Sequence, residues 1–207
     1  MLGAGDVRRL MSSHGIDPNR RLGQNFVTDT NTLRRIVALA GVGPGSRVLE
    51  IGPGIGSLTL ALADAGADVT ALEKDESLIR VLDEVLGSVD PARRPEVVPG
   101  DALEVDLEAL LARRTVGAHG AWTVVANLPY NVAVPIICRI LEQVPSVASL
   151  WVMVQLEVAE RICAEPGGRR IGMPTIRVGW FASASIAMTV APEVFTPRPR
   201  VRSAVVE

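Results

Sequence analysis

The sequence predicts an α/β fold, with a seven-stranded, mostly parallel sheet that ends in a C-terminal antiparallel hairpin. Short apolar runs alternate with helical patterns between residues 47 and 164, as in sheets whose parallel strands are joined by crossover helices. Beyond residue 174, two apolar runs follow each other without a long helix between them, which is typical of a hairpin. A chain of 207 residues buries one sizeable core, so we expect a single domain over residues 1–207.

Three strands are expected in the first half of the chain. The first is an apolar run over residues 47–51, because the turn at residues 43–45 precedes it and a glycine-rich loop follows it. Helical periodicity begins at Ser57 and ends near Gly66. The next predicted elements are a strand over residues 68–72, a helix over residues 77–86 and a short strand over residues 96–98.

The second half of the chain adds four strands. The fourth strand is expected over residues 122–126, ending at Asn127, and the fifth over residues 150–154. Helical patterns follow these two strands, over residues 135–143 and 158–164. The apolar residues 175–184 and 203–206 are predicted as the two strands of the hairpin, which brings the sheet to seven strands.

The composition excludes several classes of protein. With 48% hydrophobic residues the chain is not disordered, and no apolar run approaches the roughly 18 residues of a membrane span. The first 15 residues lack the layout of a signal peptide, so we expect a cytoplasmic protein without membrane contact. Cys138 and Cys163 lie 25 positions apart, and neither they nor His14 and His119 have the spacing of a metal site. We therefore expect free thiols and no metal.

The basic residues are unusual, although the net charge of −2 does not by itself predict a nucleic-acid partner. Lys74 is the only lysine, and the other basic residues are arginines. Most arginine pairs are expected on a solvated surface. The arginines at positions 20 and 21, and the alternating Arg198, Arg200 and Arg202, flank the motifs described below, where guanidinium groups can hold phosphates.

A glycine loop follows the first strand and brings backbone close to a ligand. Its pattern is G-x-G-x-G, at Gly52, Gly54 and Gly56, whereas dinucleotide enzymes use G-x-G-x-x-G and need glycine where Ser57 stands. Glu50, two residues before the loop, is unfavourable beside a pyrophosphate but suits a cationic group. The loop therefore favours S-adenosylmethionine as the cofactor, and a nicotinamide-dependent oxidoreductase is the alternative.

Two further acids lie at strand ends, where a cofactor can use them. Glu73 follows Gly52 by 21 residues, and a carboxylate there can accept both hydroxyls of a ribose. The alternative for Glu73 is a surface carboxylate that pairs with Lys74. Asp101 ends the third strand, where it can accept from the amino group of an adenine, although on its own it is an ordinary turn residue.

The run Asn127, Leu128, Pro129 and Tyr130 follows the fourth strand and has the chemistry of an amine-binding turn. The exocyclic nitrogen of adenine is a poor nucleophile, because its lone pair is delocalised into the ring. Two acceptors facing its N–H groups, the Asn127 side chain and the Leu128 carbonyl, expose that lone pair, while Pro129 stiffens the turn. Tyr130 can stack on the base. Phe195, in a proline-framed loop, can cover its second face or plug the edge of the core.

Together these motifs resemble the ribosomal RNA adenine dimethylase family, over about residues 20–207. The family includes the bacterial small-subunit enzymes and the large-subunit resistance methylases. The matching segments are residues 22–27, 50–56, 73, 100–102, 127–131, 153–155, 157–161 and 195–201. The resemblance implies a Rossmann-like class I methyltransferase that uses S-adenosylmethionine. Residues 1–45 would then cap the cofactor and the substrate.

The resemblance also implies a role for each site residue. Gly52, Glu73 and Asp101 correspond to contacts of the methionine end, the ribose and the adenine of the cofactor, and Asn127 to the residue shared by cofactor and target. The predicted cofactor contacts are Gln24, Asn25, Val27, Gly52, Gly54, Gly56, Glu73, Lys74, Asp101, Ala102 and Asn127. The predicted catalytic residues are Asn127, Leu128, Pro129, Tyr130 and Phe195.

Within the family, Asn127 to Asn131 followed by Pro135 is closer to the small-subunit type. We therefore expect dimethylation of two adjacent adenines in the 3′-terminal hairpin of small-subunit (16S) rRNA, on a pre-30S particle, by a monomer. The alternatives are a large-subunit (23S) resistance methylase, and an RNA-binding assembly factor with the same fold.

Some positions depart from the family pattern. Leu156 stands where lysine is usual, Ile171 where tyrosine is common and Arg202 where aspartate is usual. Since the sequence stops at Glu207, we expect the helical C-terminal RNA-binding domain of the family to be absent from this chain. We therefore expect the chain to bind the cofactor but to methylate RNA poorly on its own.

Overall fold

The computed structural model describes residues 1–16, 24–114, 120–165, 167–168 and 170–207. Arg20 and Arg21, expected to hold phosphates, and His119 lie outside these residues. The strands are β1 (Phe26–Val27), β2 (Arg47–Ile51), β3 (Asp68–Glu73), β4 (Glu96–Pro99), β5 (Trp122–Asn127), β6 (Val147–Gln155), β7 (Ile186–Val190), β8 (Phe195–Thr196) and β9 (Ser203–Val206). The α-helices are α1 (Ala4–Ser13), α2 (Thr30–Leu39), α3 (Ser57–Asp64), α4 (Glu76–Leu86), α5 (Leu107–Arg113), α6 (Ala133–Gln143), α7 (Leu156–Ile162) and α8 (Met173–Phe181).

Seven of these strands form one sheet, in the order β4-β3-β2-β5-β6-β9-β7. Strands β2 to β6 run parallel, and β9 lies antiparallel between β6 and β7. The predicted sheet and its C-terminal hairpin are therefore confirmed. A separate two-stranded ladder joins β1 to β8, with Val27 opposite Phe195.

The sheet is covered on both faces because its strands are apolar on both sides. On β2, Leu49 and Ile51 pack toward the cluster that contains α5, α6, α7 and α8, whereas Val48 packs toward α2 and α3. This alternation is the period of two expected of a strand. Glu50 therefore lies on the same face as Val48, toward α3, which carries it under the glycine loop.

Aspartates begin three of the helices that flank the sheet. Asp29 accepts from the amide of Thr32, Asp75 from that of Ser77, and Asp106 from that of Ala109. Each carboxylate satisfies an amide that has no partner within the first turn. The start of α4 at Glu76 is thus fixed directly after the end of β3.

The segment predicted as the first strand of the hairpin is a helix instead, and that prediction was wrong. Helix α8 occupies Met173–Phe181, and the strand begins only at Ile186. Pro174 is accommodated in the first helical turn, and the Thr175 hydroxyl accepts from the amide of Gly172. The apolar and β-branched composition suggested a strand, but most apolar side chains of α8 are exposed, and Val178 is its only buried residue.

Residues before β2 form two helices that the sequence pattern did not predict. Val7 and Leu10 of α1 pack with Leu78 and Leu82 of α4, so this helix covers the outside of the cofactor half of the sheet. None of the described helices is both long enough and apolar enough to cross a membrane. Both cysteines are free thiols, as expected.

Candidate active site

The carboxyl ends of β2, β3, β4 and β5 meet around one cavity. Strand ends of this kind are where open α/β sheets bind ligands. All the predicted cofactor residues line this cavity except Gly56 and Ala102. Ala102 instead packs into the core, and Gly56 faces Leu82 of α4.

The three loop glycines have positive φ angles of 67°, 61° and 88° at Gly52, Gly54 and Gly56. A Cβ on Gly54 would lie 2.7 Å from the ring of Phe26, and one on Gly56 would lie 2.6 Å from Leu82. Gly54 therefore lets the N-terminal segment close over the loop. Gly56 is the residue before α3, and the absence of a side chain there lets the start of α3 pack closely against Leu82 of α4.

Glu73 ties the glycine loop to the end of β3. Its Oε2 accepts from the amide of Gly54 at 3.0 Å, and its Oε1 accepts from the amides of Lys74 and Asp75 at 2.9 Å each. Burial raises the pKa of this carboxyl, and the three amide donors offset part of the rise. Each carboxylate oxygen has two acceptor sites, so Glu73 Oε2 retains one site for a hydroxyl donor of a ligand.

Lys74 pairs with Asp101 rather than with Glu73, which removes the alternative role considered for Glu73. The Lys74 Nζ atom lies 2.6 Å from Asp101 Oδ2, and the amide of Leu103 donates to Asp101 Oδ1 at 2.8 Å. Burial disfavours the charged form of Asp101, but these two donors outweigh it and hold its pKa below the ordinary value.

The side-chain amide of Asn127 uses only its nitrogen within the described protein, and its oxygen is left for a ligand. Its Nδ2 donates to the backbone carbonyl of Asn25 at 2.7 Å, which fixes the orientation of the side chain. Its Oδ1 is buried and has no hydrogen-bond partner within the described residues. Buried acceptors are rarely left unpaired. Asn127 Oδ1 is therefore a prepared acceptor for a donor that a ligand supplies.

Leu128 and Tyr130 of the predicted amine-binding turn are anchored by contacts with the neighbouring strands β6 and β9. The amide of Leu128 donates to the carbonyl of Met153 at 3.1 Å, and the Leu128 side chain is buried. Tyr130 Oη lies 2.7 Å from Ser203 Oγ of β9, and burial raises the pKa of this hydroxyl. Pro129 lines the cavity, whereas Tyr130 does not.

Phe195 lies in the apolar core beside β1 in this structure. It is only 4% exposed and packs in the same cluster as Val27, its partner across the β1–β8 ladder. It does not line the cavity. The structure thus brings the predicted acceptors and cofactor residues together, and places both aromatic rings outside that cavity.

The arginines after Phe195 surround the exposed side of this loop. Arg198 forms an ion pair with Glu193, and Arg202 donates to the hydroxyl of Thr189 at 3.2 Å. Arg200 is exposed. A row of guanidinium groups beside the strand ends can contact phosphates.

The sequence of the chain also matches a known protein family. The family model described as "Ribosomal RNA adenine dimethylase" matches residues 16–207. The chain belongs to this family. Membership makes it an S-adenosylmethionine-dependent methyltransferase of ribosomal RNA, which confirms the predicted family and cofactor and disfavours the nicotinamide alternative.

Several relatives of this dimethylase family member extend beyond its length. It is similar to "Ribosomal RNA small subunit methyltransferase A" of Nocardia farcinica, with 46% identity over 100% of this chain and 69% of the relative. The Bifidobacterium longum protein of the same name is 43% identical over 100% of this chain and 67% of the relative. The chain therefore spans about two thirds of the length of these relatives.

Two solved structures share the fold of this dimethylase family member. A dimethyladenosine transferase from Plasmodium falciparum matches with a TM-score of 0.72 and 27% identity, over 87% of this chain and 62% of the other. The 23S rRNA methyltransferase ErmE matches with a TM-score of 0.70 and 29% identity, over 87% and 68%. These matches confirm the predicted class I methyltransferase fold.

Glu50 belongs to the site of this family member, although it was not among the predicted site residues. Glu50 lines the cavity, is 1% exposed, and has an Oε2 atom without a hydrogen-bond partner in the described part of the chain. Its position two residues before Gly52, in a strand otherwise apolar from Val48 to Ile51, was the signal that pointed to it.

Proposed function

We propose that this chain dimethylates the N6 amines of two adjacent adenines in the 3′-terminal hairpin of small-subunit rRNA, on a pre-30S particle in the cytoplasm. The names and 43–46% identity of the relatives support this target over a 23S rRNA target. The observation that carries the proposal is the buried, unpartnered Asn127 Oδ1 at the end of β5. The protein acts as a monomer.

Asn127 and Leu128 prepare the adenine amine for attack. Asn127 Oδ1 accepts one N–H of the amine and the carbonyl of Leu128 accepts the other, which holds the nitrogen lone pair away from the ring. S-adenosylmethionine, when bound, supplies an electrophilic methyl group. Positioning and electrostatics therefore provide most of the acceleration, and no strong general base is needed, because the nitrogen becomes acidic once it is methylated.

The walls of the cavity fit the cofactor. Gly52 and Gly54 allow backbone to approach it, Glu73 accepts from the ribose, and Asp101 with Lys74 borders the adenine. Gln24, Asn25 and Val27 close the cavity from the N-terminal segment. Tyr130 stacks on one face of the target base and contributes roughly 1–3 kcal/mol. Phe195, which was predicted to cover the second face, is 4% exposed and plugs the edge of the core instead.

Transfer of labelled methyl groups to under-methylated small subunits tests the proposal. We expect the unmodified chain to label them slowly, and Asn127→Ala to be at least about 100-fold slower still, as when one preorganised hydrogen-bonding group of an active site is removed. Asn31→Ala, an exposed asparagine on α2, is the matched control and should keep the full rate. Mapping of dimethyladenosine on the RNA then identifies the target.

Two outcomes would overturn the proposal. Labelling of the large subunit instead of the small one would favour the 23S alternative. Absence of transfer by both the unmodified chain and Asn127→Ala, with retained binding to small subunits, would favour an assembly factor.

A further inference from the structure

A buried carboxyl group lies under the glycine loop without the partner that its charge would require. Glu50 is 1% exposed and its Oε2 has no hydrogen-bond partner among the residues described. The hydroxyls of Ser57 and Thr59, on the first turn of α3, are likewise buried and unpartnered there. An ionised carboxylate in such a place is strongly disfavoured unless a cation joins it.

Among the residues that the structure describes, the groups that face Glu50 do not provide that cation. From β3 and the residues after it come Glu73 and Asp75, and from the end of β4 comes Asp101. From β5 comes the neutral Asn127, and from the N-terminal segment the neutral Gln24 and Asn25. Within the described part of the chain, Lys74 is the single basic residue that lines the cavity, and it is paired with Asp101.

The surroundings of Glu50 therefore favour its protonated form in the protein without cofactor. Burial raises the pKa of Glu50 to about 8, and the charge of Glu73 adds to the rise. The Thr59 hydroxyl, which completes no hydrogen bond of ordinary geometry here, offsets only part of it. At pH 7 most molecules hold a neutral carboxylic acid at this position.

We propose that Glu50 gives up its proton when the cationic end of the cofactor enters the cavity, and then serves as its counter-ion. The inference rests on the proposed function, since the ligand is S-adenosylmethionine. The O–H bond of the carboxyl breaks, the proton passes to the buffer, and the carboxylate remains beside the ligand. The cofactor carries an ammonium and a sulfonium group, whereas S-adenosylhomocysteine lacks the sulfonium charge. Glu50 thus favours the substrate form of the cofactor over the product form.

Calorimetric titration of the chain with S-adenosylmethionine at pH 7, in buffers of different ionisation enthalpy, tests this coupling. The dependence of the observed heat on the buffer gives the number of protons released. We expect nearly one proton per cofactor bound, and a smaller release with S-adenosylhomocysteine. Glu50→Gln should bind the cofactor about tenfold more weakly, should release no proton, and should prefer it less over the product.

Controls separate this coupling from the fold and from the proposed function. Glu104→Gln, an exposed acid that does not line the cavity, should behave as the unmodified chain. Glu50→Asp should recover part of the proton release, and thermal melts show whether each variant is folded. Cofactor binding without proton release by the unmodified chain would overturn the coupling alone. Absence of cofactor binding by the unmodified chain would overturn the proposed function as well.

Discussion

The amide of Asn127 is divided between two tasks at the scale of a single residue. Its nitrogen is held by the carbonyl of Asn25, so its oxygen is the atom left for a ligand. This arrangement needs an amide, because a carboxylate has no N–H to donate to a carbonyl. The identity of the side chain, rather than its size, therefore sets the geometry of the acceptor.

Asn127→Asp is expected to abolish methyl transfer, with a loss of at least about 100-fold, while the fold is retained. The new carboxylate oxygen faces the Asn25 carbonyl and is repelled by it, so the acceptor moves. Single-turnover transfer and thermal unfolding measure the two effects. An aspartate variant with near-normal transfer would contradict the role given to Asn127 Nδ2.

Glu50 should also make the stability of the protein depend on pH. Burial raises its pKa to about 8, so its contribution to stability is fully present below the ordinary value near 4.5 and is lost as the pH rises through about 8. We expect the melting temperature of the unmodified chain to fall more steeply between pH 5 and 9 than that of Glu50→Gln. The corresponding change in the free energy of unfolding that is due to Glu50 should reach a few kcal/mol at most. Parallel curves for the two proteins would contradict it.

Gly54 and Gly41 form a matched pair for testing the contact between the loop and Phe26. Their φ angles are 61° and 62°, but a Cβ on Gly41 meets nothing within 4 Å, whereas one on Gly54 meets the Phe26 ring. Gly41→Ala should cost about 1–2 kcal/mol from backbone strain alone. Gly54→Ala should cost about 1–3 kcal/mol more and should weaken cofactor binding. Chemical denaturation and calorimetry measure both, and equal costs would show that the ring contact is unimportant.

At the scale of elements, α8 shows where sequence patterns fail. Its apolar residues indicated a strand because only their composition was informative. A helix normally shows apolar residues every three to four positions because one face is buried, and most of the surface of α8 is exposed. Met173, Ile176 and Trp180 are 67%, 58% and 83% exposed. Helices α1, α2 and α5 were not predicted either. Strands β2, β3 and β5 were predicted to within one residue because both of their faces are largely buried, so their apolar runs are nearly continuous.

Helix α8 supplies a further prediction about stability. Trp180→Ser should leave the melting temperature nearly unchanged, because the ring lies in solvent. Val178→Ala, two positions away and 3% exposed, should cost about 1–3 kcal/mol. Thermal unfolding compares the two variants. A large loss of stability in Trp180→Ser would mean that α8 packs differently.

At the scale of the whole molecule, parts of the site were predictable and others were not. Gly52, Glu73, Asp101 and Asn127 each end a strand, and parallel topology brings such ends to one edge. The contacts that orient them are not local: Asn127 meets Asn25 across 102 positions, and Tyr130 meets Ser203 across 73. The periodicity of a sequence gives no information on contacts between residues so far apart, so only the folded chain reveals them.

Placement of β9 between β6 and β7 sets the order in which the enzyme can mature during its synthesis. Ser203–Val206 follows all the other described strands in chain order, yet it fills an interior position of the sheet and supplies the hydroxyl that contacts Tyr130. A nascent polypeptide that has not yet exposed Ser203 has a gap beside β6 and an untethered tyrosine. The turn that carries Tyr130 is therefore complete only after the ribosome has made the chain through Val206.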